Sequence, residues 1–279
     1  MTSIATRAGA GLVALLLLAA PGLARLSGQT GAPYRILLTN DDGVRAPGLA
    51  ALVQALKSIG EITIVAPSAN HSGTGHGITL SDPIYIERVE VAGMQATGLS
   101  ATPASCVRVA LAKLLAKKPD IVVSGVNRGS NFGLNAYISG TVAAAREAAM
   151  QGVPAIASSL DISGHPNYGA AATATAQVVE IVKQGGLPKG VFLNVNVPAG
   201  AELKGLRLAR QSSQMGMERF EEAKTPYGRP MFWSFFEQPT TAEPGSDVQA
   251  TLDGYVAVTP LIASEFSESA FDELRKRIR

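Results

Sequence analysis

Short apolar runs alternate with helical patterns along most of this chain. The apolar runs cover residues 34–39, 61–66, 120–124, 155–157 and 191–195. The helical patterns comprise Leu49, Leu52 and Leu56 at helical spacing and the longer stretches 103–115, 141–151 and 168–184. Because strands that alternate with helices form parallel sheets with right-handed crossovers, the pattern predicts an α/β fold with a mostly parallel sheet.

The alternation ends after Pro198, and the pattern there predicts a C-terminal extension. Residues 219–236 are rich in aromatic side chains, and 227–230 provide a turn, so we expect a protruding β-hairpin. We interpret this hairpin as a subunit contact, because an isolated hairpin is marginal in water; a flap over the protein's own active site is the alternative. Residues 271–278 predict a short basic amphipathic helix.

Residues 1–24 have the features of a secretory signal peptide. Arg7 supplies a positive charge, residues 11–20 are apolar, and the small residues Gly22 and Ala24 follow. The apolar stretch is shorter than the ~20 residues of a membrane-spanning helix, and an uncleaved anchor is the alternative. We therefore expect a secreted protein without stable membrane association, which is periplasmic if the source is a Gram-negative bacterium. Its residues 25–279 would form one α/β domain, with a core over 34–200 and the extension over 201–279.

Composition and charge disfavour several classes of function. The 279-residue chain has a net charge of +2, three His and one Cys. A nearly balanced charge does not indicate binding to nucleic acid, and so few His and Cys residues disfavour thiol catalysis, a disulfide framework and a Cys/His zinc site. Cys106 lies in an apolar helical stretch, and we interpret it as a buried packing residue.

Two adjacent carboxylates, Asp41 and Asp42, followed by Gly43, come directly after the first predicted strand. Ligands of α/β proteins bind at the carboxyl ends of such strands. Two ionised carboxylates side by side repel each other, and a divalent cation with its preference for oxygen ligands would compensate this repulsion. The alternative is a helix N-terminus, where acidic residues favour the helix dipole and the glycine forms a turn.

Three further polar, glycine-rich loops follow predicted strands, at 66–76, 124–131 and 139–141. The last of them begins the helix at 141–151, and we predict that Thr141 caps it. In a parallel sheet these loops converge on one edge together with the acidic pair. Their hydroxyl and amide oxygens suit magnesium, manganese or calcium, and glycine-rich turns and helix N-termini suit phosphate. The combination predicts a phosphate ester as the substrate.

These motifs, in this order, resemble those of the SurE family, the stationary-phase survival nucleotidases. The resemblance is carried by Thr-Asn-Asp-Asp-Gly at 39–43, Val-Ala-Pro at 65–67, Ser-Gly at 72–73, Thr-Pro-Ala at 102–104, Ser-Gly-Val-Asn-Arg-Gly at 124–129, Ser-Gly-Thr-Val at 139–142, Asn-Val-Asn-Val-Pro at 194–198 and Gly-Tyr at 254–255. It extends from Tyr34 to the end of the chain. It implies a Rossmann-like three-layer sandwich with a mostly parallel sheet, a C-terminal hairpin and a terminal helix.

The resemblance also implies an activity and a set of site residues. The activity would be metal-dependent hydrolysis of nucleoside monophosphates, with 3′-nucleotides and short polyphosphate as further substrates, by a homodimer or homotetramer assembled through the C-terminal extension. One divalent ion per subunit, Mg²⁺ or Mn²⁺, would be held by Asp41, Asp42, Ser72 and Asn127. Of these, Asp41, Asp42 and Asn127 would be catalytic. The substrate would contact Asn40, Gly43, Ser139, Gly140 and Thr141.

Several positions depart from the family pattern. Ser68, Ala101, Ser105 and Asn135 replace Asp, Gly, Asp and Asp, and the aromatic residue before the third loop is shifted to Tyr137. The loss of carboxylates motivates a rival hypothesis, a nucleotide- or phosphate-binding protein with weak or lost catalysis. A phosphatase for polyphosphate or a sugar phosphate is a third hypothesis.

Two histidines of the first glycine-rich loop, His71 and His76, have two interpretations. Either could be the general acid for the leaving alkoxide, or both could be surface or structural residues. Arg128 could contact the phosphate or pair with a carboxylate. A phosphoserine route through Ser72 competes with attack by water, but Ser72 has no evident partner base in the sequence.

Overall fold

The computed structural model describes residues 1–2, 32–164, 166–200, 202–237, 239 and 241–278. The chain from Pro33 onward forms one compact unit. The predicted signal peptide lies outside the described residues apart from Met1 and Thr2. In the part of the chain that is described, no helix combines the length and the apolar character needed to cross a bilayer.

The described residues form eleven strands and six α-helices. The strands are β1 (Arg35–Thr39), β2 (Glu61–Pro67), β3 (Ile86–Val91), β4 (Met94–Leu99), β5 (Ile121–Arg128), β6 (Ala155–Leu160), β7 (Val191–Val197), β8 (Leu206–Leu208), β9 (Met217–Lys224), β10 (Pro230–Glu237) and β11 (Val256–Ile262). The helices are α1 (Pro47–Leu56), α2 (Pro103–Val109), α3 (Gly140–Met150), α4 (Tyr168–Gly185), α5 (Asp247–Leu252) and α6 (Glu268–Leu274).

Nine of these strands form the central sheet, in the order β3-β4-β2-β1-β5-β6-β7-β11-β8. The strands from β4 to β7 in this order are parallel. Strand β3 runs antiparallel to β4 and β11 runs antiparallel to β7, whereas β8 is parallel to β11. The chain runs from β1 to β2 on one side, whereas β5 lies on the other side of β1. The boundary between β1 and β5 is therefore the switch point at which doubly wound sheets bind ligands.

Helices cover both faces of the sheet, which confirms the predicted three-layer architecture. Side chains alternate along β1, so that Ile36 and Leu38 pack with α1 and α4, whereas Leu37 packs with α2 and α3. Strands buried on both faces read as continuous apolar runs, which explains the pattern of the sequence. Cys106 is buried in the second of these layers, as predicted.

Two helix termini differ from the prediction. The residue that caps α3 is Ser139 and not Thr141, because the Ser139 hydroxyl accepts a 3.1 Å hydrogen bond from the Val142 N–H. The terminal helix is present but spans Glu268–Leu274 instead of 271–278, because Ser267 caps it. The stretch 103–115 is helical throughout most of its length, but its second half, Ala110–Leu114, is a π-helical turn.

The C-terminal extension contributes to the central sheet as well as forming the predicted hairpin. Strand β11 pairs with β7, and β8 pairs with β11, so both strands complete the sheet of the core. Between them β9 and β10 form a separate two-stranded sheet, and most side chains of this hairpin are exposed. The hairpin β3–β4 at the opposite edge was not predicted.

Candidate active site

The switch point of the sheet brings together residues from β1, β5 and α3. Asp41 follows β1 and is only 2% exposed, and its carboxylate accepts a hydrogen bond from the Thr141 hydroxyl in the first turn of α3. The main-chain carbonyl of Asp41 accepts a 2.8 Å hydrogen bond from the His71 N–H. Asp41 is thus fixed both by the helix and by the loop after β2.

Burial raises the pKa of Asp41 to about 6, although the hydrogen bond from Thr141 opposes this rise, and the neighbouring charge of Asp42 adds to it. The carboxylate also lies against the backbone of Gly140. A Cβ atom at Gly140 would come within 2.8 Å of the Cβ atom of Asp41. Only a glycine therefore allows α3 to approach the acidic residue this closely.

Asp42 is less buried than Asp41, and its carboxylate contacts the end of β5 and not α3. Its Oδ2 accepts a 2.9 Å hydrogen bond from the backbone N–H of Arg128, at the end of β5. Burial raises the pKa of Asp42, while the N–H and the charge of Arg128 lower it. Neither Asp41 nor Asp42 forms an ion pair with any Lys, Arg or His among the described residues. Two carboxylates of one site therefore have no positively charged side chain in contact with them.

A cavity of about 680 Å³ opens beside the acidic pair, and four predicted site residues line it: Asp41, Ser72, Asn127 and Ser139. The amide nitrogen of Asn127 donates a 2.7 Å hydrogen bond to the carbonyl of Gly129, so the amide oxygen is the atom left for a ligand. Ser72 lies on an exposed loop that is shaped by a 2.6 Å hydrogen bond from its N–H to the side chain of Asn70.

The other predicted site residues lie outside this cavity. Asp42 and Gly43 line a neighbouring cavity of about 360 Å³, and Arg128 borders both cavities. Asn40 is fully buried and donates a 2.8 Å hydrogen bond to the carbonyl of Gly43, which has a φ of +104°. Asn40 therefore stabilises the turn that carries the acidic pair. Gly140 and Thr141 are buried as well, behind Asp41.

The donor set fits a hard divalent cation. It consists of carboxylate, amide and hydroxyl oxygens, which magnesium and manganese prefer to nitrogen and sulfur. Two carboxylates match the charge of such an ion. Among the described residues no cluster of three or more His, Cys, Asp or Glu side chains is placed to hold a metal.

His76 takes part in a partly buried polar network around Glu147 of α3. Its Nε2 atom lies 2.9 Å from Oε2 of Glu147, which is 2% exposed and also accepts hydrogen bonds from Arg108 and Gln151. Burial alone would raise the pKa of Glu147, but the hydrogen bonds from His76, Gln151 and Arg108 outweigh it and lower that pKa to about 2. This geometry favours the structural interpretation of His76.

The departures Ser105 and Asn135 also have structural partners. The hydroxyl of Ser105 accepts a 2.8 Å hydrogen bond from the Thr79 N–H, and the side-chain oxygen of Asn135 accepts a 3.0 Å hydrogen bond from the Gly216 N–H. Both residues connect loops around the site. Sequence reasoning did not identify Phe236, the last aromatic residue of β10, which lines the main cavity. The only sequence signal for it was the aromatic character of the hairpin.

The fold and the site define a class of protein, a Rossmann-like α/β protein with an oxygen-rich acidic cleft at the switch point of its sheet. Residues 36–218 match the family described as Survival protein SurE. The chain belongs to the SurE family.

Relatives from other organisms agree over most of the chain. It is 44% identical over 230 residues to the 5′-nucleotidase SurE of Geobacter sulfurreducens, covering 81% of this chain and 87% of that protein. It is 40% identical over 235 residues to the 5′-nucleotidase SurE of Christiangramia forsetii, covering 81% and 90%. The crystal structure of the SurE protein from Aquifex aeolicus superposes with a TM-score of 0.76 at 36% identity, covering 88% of this chain and all of that one.

Proposed function

We propose that this protein is a metal-dependent 5′-nucleotidase, which hydrolyses nucleoside monophosphates to nucleosides and phosphate. The observation that carries the proposal is Asp41, a buried carboxylate without a cationic partner among the described residues, at the wall of a cleft lined by further oxygen donors. The names of the relatives, identical at 40–44% of aligned positions, support the same reaction.

Each polar group of the cleft has a distinct part in this proposal. Asp41 from this cleft and Asp42 from the adjoining cavity would hold the divalent ion, with Ser72 and Asn127 as neutral oxygen ligands. When bound, this ion neutralises the charge of the phosphate and activates water for attack on phosphorus. Ser139, at the N-terminus of α3, lies at the cavity wall, where the positive end of the helix dipole favours an anion.

Arg128 provides positive charge at the same cleft. Arg128 is exposed and lines the cavity, and it forms no ion pair with a carboxylate among the described residues. Its charge acts on Asp42 from beyond ion-pair distance, so the guanidinium keeps its donors for a phosphate oxygen, whose geometry its fork of donors matches. We therefore assign Arg128 to the phosphate and not to a carboxylate.

The test of the activity is phosphate release by the purified protein from a panel of nucleoside monophosphates, with Mn²⁺, with Mg²⁺ and with a chelator. Release that requires a metal is expected, and the comparison of the two ions identifies the preferred one. No release from any nucleotide with either ion would contradict the proposal. Tight nucleotide binding without release would support the nucleotide-binding rival instead.

We further propose that the protein is exported and that residues 1–24 are removed. The support is the charge and hydropathy pattern of those residues alone. Cell fractionation followed by N-terminal sequencing tests this proposal. The expected result is a periplasmic protein that begins at Arg25, whereas a cytoplasmic protein that begins at Met1 or Thr2 would contradict it.

We also propose that the protein is a homodimer or homotetramer whose contact includes the β9–β10 hairpin. Phe232 and Trp233 of this hairpin are 68% and 57% exposed, and exposed apolar patches commonly mark contacts between subunits. Sedimentation velocity should show an oligomer, and the double variant Phe232→Ser/Trp233→Ser should sediment as a smaller species. A monomeric wild-type protein would contradict this proposal.

A further inference from the structure

The main cavity has a polar floor and an apolar mouth. The floor carries Asp41 and Asn127, whereas the mouth carries Ile138, Ile162 and Phe236. These three apolar side chains are 38–44% exposed. They come from three different parts of the chain, namely the turn before α3, the loop after β6 and the end of β10. A cavity of this kind suits an elongated ligand with a charged end and an apolar end.

Phe236 is held in a fixed position at this mouth. Its ring packs against the backbone of Gly216, where a Cβ atom would come within 2.2 Å of the ring atom Cζ. The N–H of Gly216 in turn donates a 3.0 Å hydrogen bond to the side chain of Asn135, which itself lines the cavity. The ring is thus supported from behind by main chain that is tied to the cavity wall.

Several longer connections fix the same wall. The Leu134 N–H donates a 2.9 Å hydrogen bond to the carbonyl of Gln214, and Gln211 donates one of 2.8 Å to the carbonyl of Gly133. The buried carboxylate of Asp247 accepts hydrogen bonds from the N–H groups of Gly133 and Ser212. The mouth is therefore preorganised, and ligand binding would not have to order Phe236.

Polar groups near the mouth are used within the protein. The N–H and the side-chain amide of Asn131 donate to the side chains of Asn196 and Ser159. The N–H and the hydroxyl of Ser163 both donate to the carboxylate of Asp161. What the mouth presents to a ligand is thus mainly apolar surface. Such surface accommodates the flat face of an aromatic ring and provides little to distinguish one ring edge from another.

We propose that Phe236 is the platform on which the nucleobase of the substrate stacks, with Ile138 and Ile162 completing an apolar mouth that selects nucleotides over simpler phosphate esters. This inference rests on the proposed function. It also implies a broad base preference, with purines bound better than pyrimidines because they stack over a larger area. Stacking of a base on an aromatic side chain corresponds to about 5-fold to about 150-fold in affinity.

The test compares AMP with ribose 5-phosphate, which has the same phosphate and sugar but no base. In the presence of Mn²⁺, Phe236→Ala should raise the KM for AMP about 10-fold and leave kcat within about 2-fold. The KM for ribose 5-phosphate should not change. Phe236→Trp should retain the wild-type KM for AMP, and Phe236→Leu should fall between the two.

The matched control is Phe235→Ala. The ring of Phe235 lies 4.9 Å from the guanidinium of Arg219 and alternates with Phe236 along β10, on the other face of the hairpin. This control should change neither KM. Circular dichroism of each variant verifies that the fold is kept.

Two results would overturn the inference. The first is an unchanged KM for AMP in Phe236→Ala; the second is an equal rise for AMP and ribose 5-phosphate, which would mean that Phe236 only shapes the wall. If the wild-type protein hydrolyses neither ester, the proposed function fails by itself. The same comparison is then made with dissociation constants from calorimetry with Mn²⁺. Phe236→Ala must still weaken the binding of AMP and leave the binding of ribose 5-phosphate unchanged.

Discussion

The floor and the mouth of the cavity are built in different ways. Each floor residue belongs to the end of a buried parallel strand or the start of the next helix, as Asp41 and Asn127 do. The mouth depends on contacts between distant segments, such as the hydrogen bond from Gly133 to Asp247, which joins residues 114 positions apart. Sheet topology therefore positions the polar floor, whereas contacts between the core and the C-terminal extension position the apolar mouth.

The largest effect is expected from Asp41→Asn in the floor. Loss of this ligand should lower kcat/KM by a factor on the order of 1,000 or more and abolish Mn²⁺ binding in calorimetry. The fold should be kept, because the change removes a buried charge and its repulsion with Asp42. A variant that unfolds would make the acidic pair structural, and one with full activity would remove Asp41 from the site.

The next effect is expected from Gly140→Ala, which tests how closely α3 approaches the floor. The added methyl would lie 2.8 Å from the Cβ atom of Asp41 and should displace it, lowering kcat/KM by about 100-fold, with a stability cost of about 1–3 kcal/mol. Gly185→Ala at the end of α4 is the control, because nothing lies within 4 Å of its Cβ position. Equal activity in both variants would contradict the packing argument.

A smaller effect on activity is expected from Asp247→Ala, which removes hydrogen bonds that hold the wall of the mouth in place. Three backbone N–H groups, those of Gly133, Ser212 and Val248, would lose their acceptor. Urea unfolding should show a loss of about 3 kcal/mol, and the KM for AMP should rise several-fold with little change in kcat. Asp253→Ala, which removes a solvent-accessible ion pair with Arg207 and a hydrogen bond from the Gln249 side chain, should cost less than about 1 kcal/mol. Equal losses would contradict a special role for Asp247.

The smallest effect on activity is expected from Glu147→Gln, since Glu147 lines neither cavity. The stability should fall by about 2 kcal/mol at pH 7. The pKa of Glu147 is lowered from 4.5 to about 2, so its stabilisation is complete above pH 4.5 and declines as the pH falls toward 2. Between pH 5 and 3 the free energy of unfolding should therefore depend less on pH in Glu147→Gln than in the wild type.

The sequence was sufficient to predict the floor because its signals are local. An apolar run that ends in Asp41-Asp42-Gly43 already specifies a buried strand, its carboxyl end and a turn. The periodicity of the core strands and helices likewise predicted the layers of the sandwich. The cap of α3 was assigned to Thr141 because Thr and Ser are similar capping residues. In the structure Ser139 caps the helix, whereas the Thr141 hydroxyl donates its hydrogen bond to Asp41.

The mouth could not be predicted because its residues become neighbours only in the folded chain. Nothing in the sequence indicates that Gly216 provides room for Phe236 or that Asn135 accepts a hydrogen bond from Gly216. The two strands β8 and β11 were missed for the same reason, since the pairing of β11 with β7 and of β8 with β11 joins segments that are distant in the sequence. The aromatic hairpin was predicted, but the sequence alone favoured a subunit contact over a flap on the protein's own active site and did not identify Phe236 as the residue that lines the cavity.

The β9–β10 hairpin is an arm outside the central sheet, since the chain leaves that sheet at β8 and rejoins it at β11. Its tip is a tight turn closed by hydrogen bonds between Thr225 and its neighbours, with Tyr227 97% exposed. A peptide tag or a fused domain inserted between Tyr227 and Gly228 would extend the arm without disturbing the register of the sheet. Under the two proposals made for this hairpin, changes toward the tip would alter the subunit contact and changes at the base would alter substrate range, so that the two properties would evolve separately on the same two strands.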